Sequence, residues 1–157
     1  MARPEFVAAL GWIYENSPWV AERAWERRPF ATVNELHTAM NRIVLDASRE
    51  EQLALLRAHP DLGTQAGVSA ASAGEQKGAG LDSLDAGELE IMQEQNRRYR
   101  EKFGFPFLFA VRGSSVGDIL LALILRLESE PEEELHQALW EVGRIAWFRL
   151  NDTLKEF

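Results

Sequence analysis

The sequence predicts an all-α protein, a single-domain helical bundle of about seven to nine helices with a long irregular central loop. Three observations carry that prediction. Apolar residues recur at three- and four-residue steps through most of the chain. Hydroxyl or aspartate residues with a carboxylate three positions on stand before several of these stretches. The one strand-like run, FLFAV at residues 107–111, has no second run to satisfy its backbone groups. A length of 157 residues suits one domain spanning 1–157, and no internal repeat, heptad array or linker divides it.

The first helix is expected from Phe6, Leu10, Ile13 and Tyr14, which share one face. Ser17-Pro18 restarts the chain, a capping hydroxyl before a proline suited to a first turn, and opens a short helix through Trp25. Thr32-Val33-Asn34-Glu35 and Ser48-Arg49-Glu50-Glu51 have capping-box spacing and start the third and fourth helices. Leu36, Met40, Ile43 and Val44 form the buried stripe of one, and Leu53, Leu55 and Leu56 that of the other. Over residues 58–84 the periodicity stops and glycines at 63, 67, 74, 78 and 80 alternate with small polar residues. That reads as a structured loop with room for one short helical piece; loops this long inside compact domains are often functional.

Asp85-x-x-Glu88 caps a charged helix reaching Phe103, with Leu89, Met92, Asn96 and Tyr99 on one side and Gly104-Phe105-Pro106 as its stop. Residues 107–111 are expected to be extended or a buried helical turn. Ser115-x-x-Asp118 caps the next helix, and Pro131 opens the last, whose buried side carries Leu135, Leu139, Val142, Ile145 and Leu150.

Composition narrows the function. The formal charge is −8 and no Lys/Arg cluster is visible, so nucleic acid is not an expected partner. With zero cysteines there is no disulfide, no thiolate metal site and no cysteine nucleophile, which suits a reducing cytoplasm. The opening MARPEFVAAL does not read as a secretory leader, and the final Lys155-Glu156-Phe157 is not a peroxisomal tripeptide. The apolar run at residues 119–125 is too short to span a bilayer, so no membrane association is expected.

Of three histidines, His59 alone sits in a turn cluster, Ala58-His59-Pro60-Asp61-Leu62-Gly63, where the following proline restricts its backbone. It fits either an acid–base group or a helix-end residue satisfying terminal carbonyls. His37 and His136 read as helix-surface residues. Glu133-x-x-His136 is half of a di-iron pattern without its second half, so no metal is expected. Gly113-Ser114-Ser115-Val116-Gly117 spells a nucleophile elbow but lacks the surrounding sheet, and Ser115 is better explained as a cap. Ser72-Ala73-Gly74-Glu75 also has capping-box spacing. Arg112 follows an apolar run, which puts its guanidinium at the core edge, where a desolvated cation needs an anion. An imidazole, a carboxylate, an amide and a guanidinium thus border the irregular segments, as in many ligand pockets.

Ordered blocks along nearly the whole chain carry a resemblance. They are Ser17-Pro18-Trp19-Val20-Ala21-Glu22, Arg28-Pro29-Phe30, His59-Pro60-Asp61-Leu62-Gly63, and Ser72-x-x-Glu75-Gln76 continuing to Ala79-Gly80-Leu81. Lys102-Phe103-Gly104-Phe105-Pro106-Phe107 with Val111-Arg112, and Arg144-Ile145-Ala146 through Arg149-Leu150, complete the set. With these blocks the chain resembles the 2-oxo-4-hydroxy-4-carboxy-5-ureidoimidazoline (OHCU) decarboxylases of uric-acid degradation. The resemblance implies an all-helical, cofactor-free, commonly dimeric enzyme that converts OHCU to (S)-allantoin and CO2. It implies His59 and Glu75 as the catalytic pair, Ser72, Gln76 and Arg112 as substrate-holding groups, and Pro60 and Phe105 as pocket walls. Phe109 stands where many relatives have a smaller aliphatic residue, so at that side only a backbone contact to substrate is carried over. A non-catalytic helical ligand-binding or interaction module that keeps the fold is the alternative; it would leave both the rate and the racemic outcome of spontaneous OHCU decay unchanged.

Overall fold

The structure, a computed structural model, describes residues 2–64 and 67–154. Gln65 and Ala66, inside the segment expected to be irregular, lie outside the described residues, as do Met1 and the C-terminal tripeptide. Among the described residues there are eight α-helices and no strand: α1 Arg3–Leu10, α2 Trp19–Trp25, α3 Val33–Asp46, α4 Arg49–Arg57, α5 Ala70–Gly78, α6 Ala86–Phe103, α7 Val116–Arg126 and α8 Pro131–Leu154. None of these helices is long and apolar enough to cross a membrane. The chain forms two compact units, one of Met1–Ala58 with Leu139–Phe157, the other His59–Ala138.

In the first unit α2 lies against both α1 and α3. The predicted stripe Leu36, Met40, Ile43 and Val44 is buried on α3, as are Leu55 and Leu56 on α4, while Leu53 is half-buried. Thr32 and Ser48 accept hydrogen bonds from the backbone N–H of Glu35 and Glu51, as their spacing predicts. Ser17 behaves differently: α2 has no side-chain cap, and the Ser17 hydroxyl donates to the Glu15 carbonyl at 2.8 Å. Helix α1 ends at Leu10, so Ile13 and Tyr14 reach the core from turns rather than from a helical face.

His37 is not a plain surface residue. Its Nε2 donates to the Gly143 carbonyl at 2.7 Å, and its ring meets Trp147 edge-on with centroids 5.2 Å apart. One turn along α3, Asn41 approaches Gly143 so closely that a Cβ there would stand 2.7 Å from Oδ1. A side chain at 143 would displace the Asn41 amide. On α8, Leu139, Val142 and Leu150 are buried as expected and Ile145 is half-buried. The enclosed Arg149–Glu15 pair, 3.2 Å apart, secures this helix to the turn after α1, with Arg149 also donating to the Ile13 carbonyl.

The second unit holds α5, α6, α7 and the start of α8. Asp85 and Ser115 each form a complete capping box. Helix α5 occupies the stretch expected to be mostly loop. Its buried residues are Ser72 and Gln76, both polar, so it leaves no apolar period to read. Its cap is Ser69, which accepts from the Ser72 N–H; Ser72 lies inside the first turn rather than capping it.

Residues 107–111 belong to no helix or strand. Part of their backbone need is met by a side chain, because Arg126 Nη1 donates to the Leu108 carbonyl at 2.6 Å. Arg126 also lies over the Phe107 ring, 4.5 Å from its centroid, and binds the buried Glu134 through Nε at 2.6 Å. Tyr99 donates its hydroxyl to the same Glu134 oxygen. This cluster joins the end of α7, the first turn of α8 and α6 to the strap that carries Phe105 and Phe109.

Candidate functional site

All eight candidate residues fall in the second unit, His59–Ala138. His59 follows the C-cap of α4 and is only 7% exposed. Pro60 is half-buried beside it. On α5, Ser72 and Gln76 are four residues apart and buried, and Glu75, three residues after Ser72, is half-buried, so the three share one helical face. Helix α5 thus brings residues 72, 75 and 76 together.

The block after Pro60 is held at every residue. The Asp61 carboxylate pairs with Arg100 at 2.7 Å, the Leu62 carbonyl accepts from Asn96 Nδ2 at 2.9 Å, and the Gly63 N–H donates to Gln76 Oε1 at 2.9 Å. Gly63 has φ +90, and a Cβ there would meet Met92 Cγ at 3.3 Å, so only glycine fits without strain. Leu62 C=O and Gly63 N–H are the two ends of one peptide group. Asn96 of α6 and Gln76 of α5 thus clamp the same planar unit from opposite sides.

The clamp orients the Gln76 amide. With Oε1 occupied by the Gly63 N–H, the remaining group is the donor Nε2, which is buried and has no hydrogen-bond partner among the described residues. Gln76 is 5% exposed, and a buried N–H without an acceptor is costly. A ligand atom opposite this amide must therefore be an acceptor. The sequence identified Gln76 but not the direction in which it points.

Phe105 is buried, with its ring edge-on to Tyr99 at 5.9 Å between centroids. Phe109 is half-buried and stacks on Phe107 at 6.0 Å with 16° between planes. Arg112 departs from expectation. It is exposed, at the turn before Gly113, rather than desolvated at the core edge, because the buried strap ends at Val111. A guanidinium that does serve the core edge is that of Arg126, through Glu134 and the Leu108 carbonyl. Asn96 and Arg100 were missed. Their trace in the sequence is a polar residue inside the buried stripe of α6, with a second one turn further on. A hollow of about 690 Å³ lined by Asp61, Leu62, Asn96 and Arg100 contains none of the eight candidates.

The sequence matches the family model described as OHCU decarboxylase over residues 1–151. The chain belongs to that family. An OHCU decarboxylase of Haloferax volcanii is 52% identical over 145 residues, covering 92% of this chain and 86% of the relative. The Bacillus subtilis uric acid degradation bifunctional protein PucL is 48% identical, and the match covers 94% of this chain but 30% of that longer protein. Among solved structures, an (S)-allantoin synthase superposes with TM-score 0.80 at 36% identity, covering 98% of this chain and 51% of that one. An OHCU decarboxylase crystallised in the presence of (S)-allantoin gives TM-score 0.73 at 26% identity, covering 94% and 95%. The all-α OHCU decarboxylase fold expected from the sequence is the fold found.

Proposed function

We infer that the protein is a decarboxylase of uric-acid degradation that converts OHCU to (S)-allantoin and CO2. The observation that carries the reading to these side chains is the buried Gln76 amide, whose Nε2 donor has no partner among the described residues, on the helical face shared with Ser72 and Glu75. It adjoins the fixed segment that begins at His59.

The reaction breaks the C4–carboxylate bond of OHCU. The electron pair passes into the adjoining C5=N system, so the substrate supplies its own electron sink and no cofactor is required. The nitrogen of that system takes up a proton as it receives the electrons, the C4 hydroxyl then loses its proton to become the carbonyl of allantoin, and C5 gains a proton on one face. His59 is assigned that proton traffic, since an imidazole exchanges protons near neutral pH, and Glu75 is assigned to orient it. Gln76 Nε2 donates to a carbonyl oxygen of the ureide, and Ser72 adds a neutral hydrogen bond. Arg112 binds ureido or ring oxygens rather than the departing carboxylate, because a tight ion pair there stabilises the ground state as its charge leaves. Pro60 and Phe105 form apolar walls, and the backbone at Phe109 offers a further contact.

A second copy of the chain is assigned to the α7 face on which Leu121, Ile124 and Leu125 are exposed, making a homodimer. The zero cysteine count suits a cytoplasmic enzyme, and the net charge of −8 disfavours nucleic acid.

The test feeds freshly generated OHCU to the purified protein and follows circular dichroism of the product. A fast signal of the S enantiomer is expected, and His59→Ala should lower turnover by about 100-fold or more. Decay at the spontaneous rate to racemic product would overturn the activity. Full turnover in His59→Ala would remove that residue from its role.

A further inference from the structure

We propose that Asn96 is a positioning residue of this reaction, acting through the Leu62–Gly63 peptide on both His59 and Gln76. The proposal rests on the site reading given above. Asn96 is 3% exposed and lies on α6 with Met92 and Tyr99, both buried, on the same side. An amide among such neighbours is unfavourable unless it is fully bonded, yet Oδ1 has no partner among the described residues. An apolar side chain with the same branching would carry no such penalty. Among the described residues the amide has one return, the hydrogen bond from Nδ2 to the Leu62 carbonyl.

That bond has two consequences. The Leu62 carbonyl is three residues beyond His59, and the intervening Pro60 and the Arg100-paired Asp61 leave little freedom between them. Fixing the carbonyl therefore fixes the exit direction of the chain from His59. The other end of the same rigid peptide is the Gly63 N–H, which occupies Gln76 Oε1. If the carbonyl loses its donor, the peptide turns to find another partner and its N–H leaves Gln76. The amide can then rotate by half a turn and present an acceptor where the substrate needs a donor. Asn96 bonds to Leu62 rather than to a candidate residue, yet it controls the orientation of one and the chain path of another.

The experiment is a double-mutant cycle in the full chain. Asn96→Leu keeps the branching and heavy-atom count and removes the bond, while Gln76→Glu keeps an acceptor for the Gly63 N–H and has no amide left to misorient. Alone, Asn96→Leu should lower kcat/KM by about 10- to 100-fold, the scale of a small misplacement of catalytic groups, with KM raised as well as kcat lowered. In the Gln76→Glu background the loss should shrink by at least about threefold, because the route through the Gln76 amide is already gone and only the route through His59 remains. A purely structural role would give the same factor in both backgrounds. If Asn96→Leu melts early, Asn96→Asp replaces it, since the shape is retained and the donor lost. Wild-type kcat/KM in a folded Asn96 variant, or equal losses in both backgrounds, overturns the proposal. Full activity in Gln76→Glu together with His59→Ala would instead overturn the underlying site reading, so the two failures are distinguishable.

Discussion

Changing Glu134 to glutamine removes one negative charge from the second unit while hardly altering side-chain shape. Glu134 is 1% exposed and accepts hydrogen bonds from Arg126 Nε and the Tyr99 hydroxyl, and the Arg126 side chain is 12% exposed. Removing one partner of such a pair leaves the other charge buried and uncompensated, at a cost of roughly 3–5 kcal/mol. The lower end applies, since Arg126 keeps its bond to the Leu108 carbonyl and its place over the Phe107 ring. A loss of about 3 kcal/mol corresponds to about 6–12 °C in melting temperature for a chain of this size. Thermal and urea unfolding followed by far-UV circular dichroism measure it directly. Replacing the whole pair, Glu134→Leu with Arg126→Met, should recover only part of the loss, because an apolar pair has no charge to desolvate but leaves the Tyr99 hydroxyl and the Leu108 carbonyl without these partners. A Glu134→Gln protein within about 1 kcal/mol of the parent would refute the reasoning, as would a double variant no better than the single one.

Both tyrosines, Tyr14 and Tyr99, have hydroxyls pushed well above the ordinary value of 10.0, each chiefly by burial and Tyr99 next by its hydrogen bond to Glu134. A raised folded pKa gives stability that is complete below about pH 10 and lost as pH rises further, so on alkaline titration tyrosinate absorbance should appear only together with unfolding. Absorbance rising while the far-UV signal stays native would contradict this. Glu94 is held at about 2, against an ordinary 4.5, first by its hydrogen bonds to Arg97 and Arg98. Its lowered pKa gives stability present above pH 4.5 and lost as pH falls towards 2; because the group is exposed the loss should be small, and it should shrink with added salt or in Arg97→Ala, as acid titrations of stability can check. Gly104 ends α6 with φ 81, so Gly104→Ala should cost about 1–2 kcal/mol in urea unfolding, and no loss would show that the strap tolerates another backbone path.

Much of the helical framework was legible because helices announce themselves by period and by caps. The stripes of α3 and α4 and the capping boxes at Ser48, Asp85 and Ser115 are local in sequence, and the fold keeps them. Helix α5 was not legible, since the residues it buries are polar and its cap lies three residues before the expected one. The candidate site was readable as residue types: His59, Glu75, Gln76 and Arg112 stand out by their place at segment borders and by family likeness.

Sequence by itself determined the helical class, most helix starts and the chemistry available to the chain, because these depend on neighbours within a few residues. Tertiary structure decided which end of the Gln76 amide is free, that Asn96 and Arg126 hold backbone carbonyls, and that Arg112 rather than Arg126 faces solvent. Those outcomes depend on which groups meet across long loops. The energy of a buried polar atom is set by the partner it finds there, and no local pattern encodes that partner.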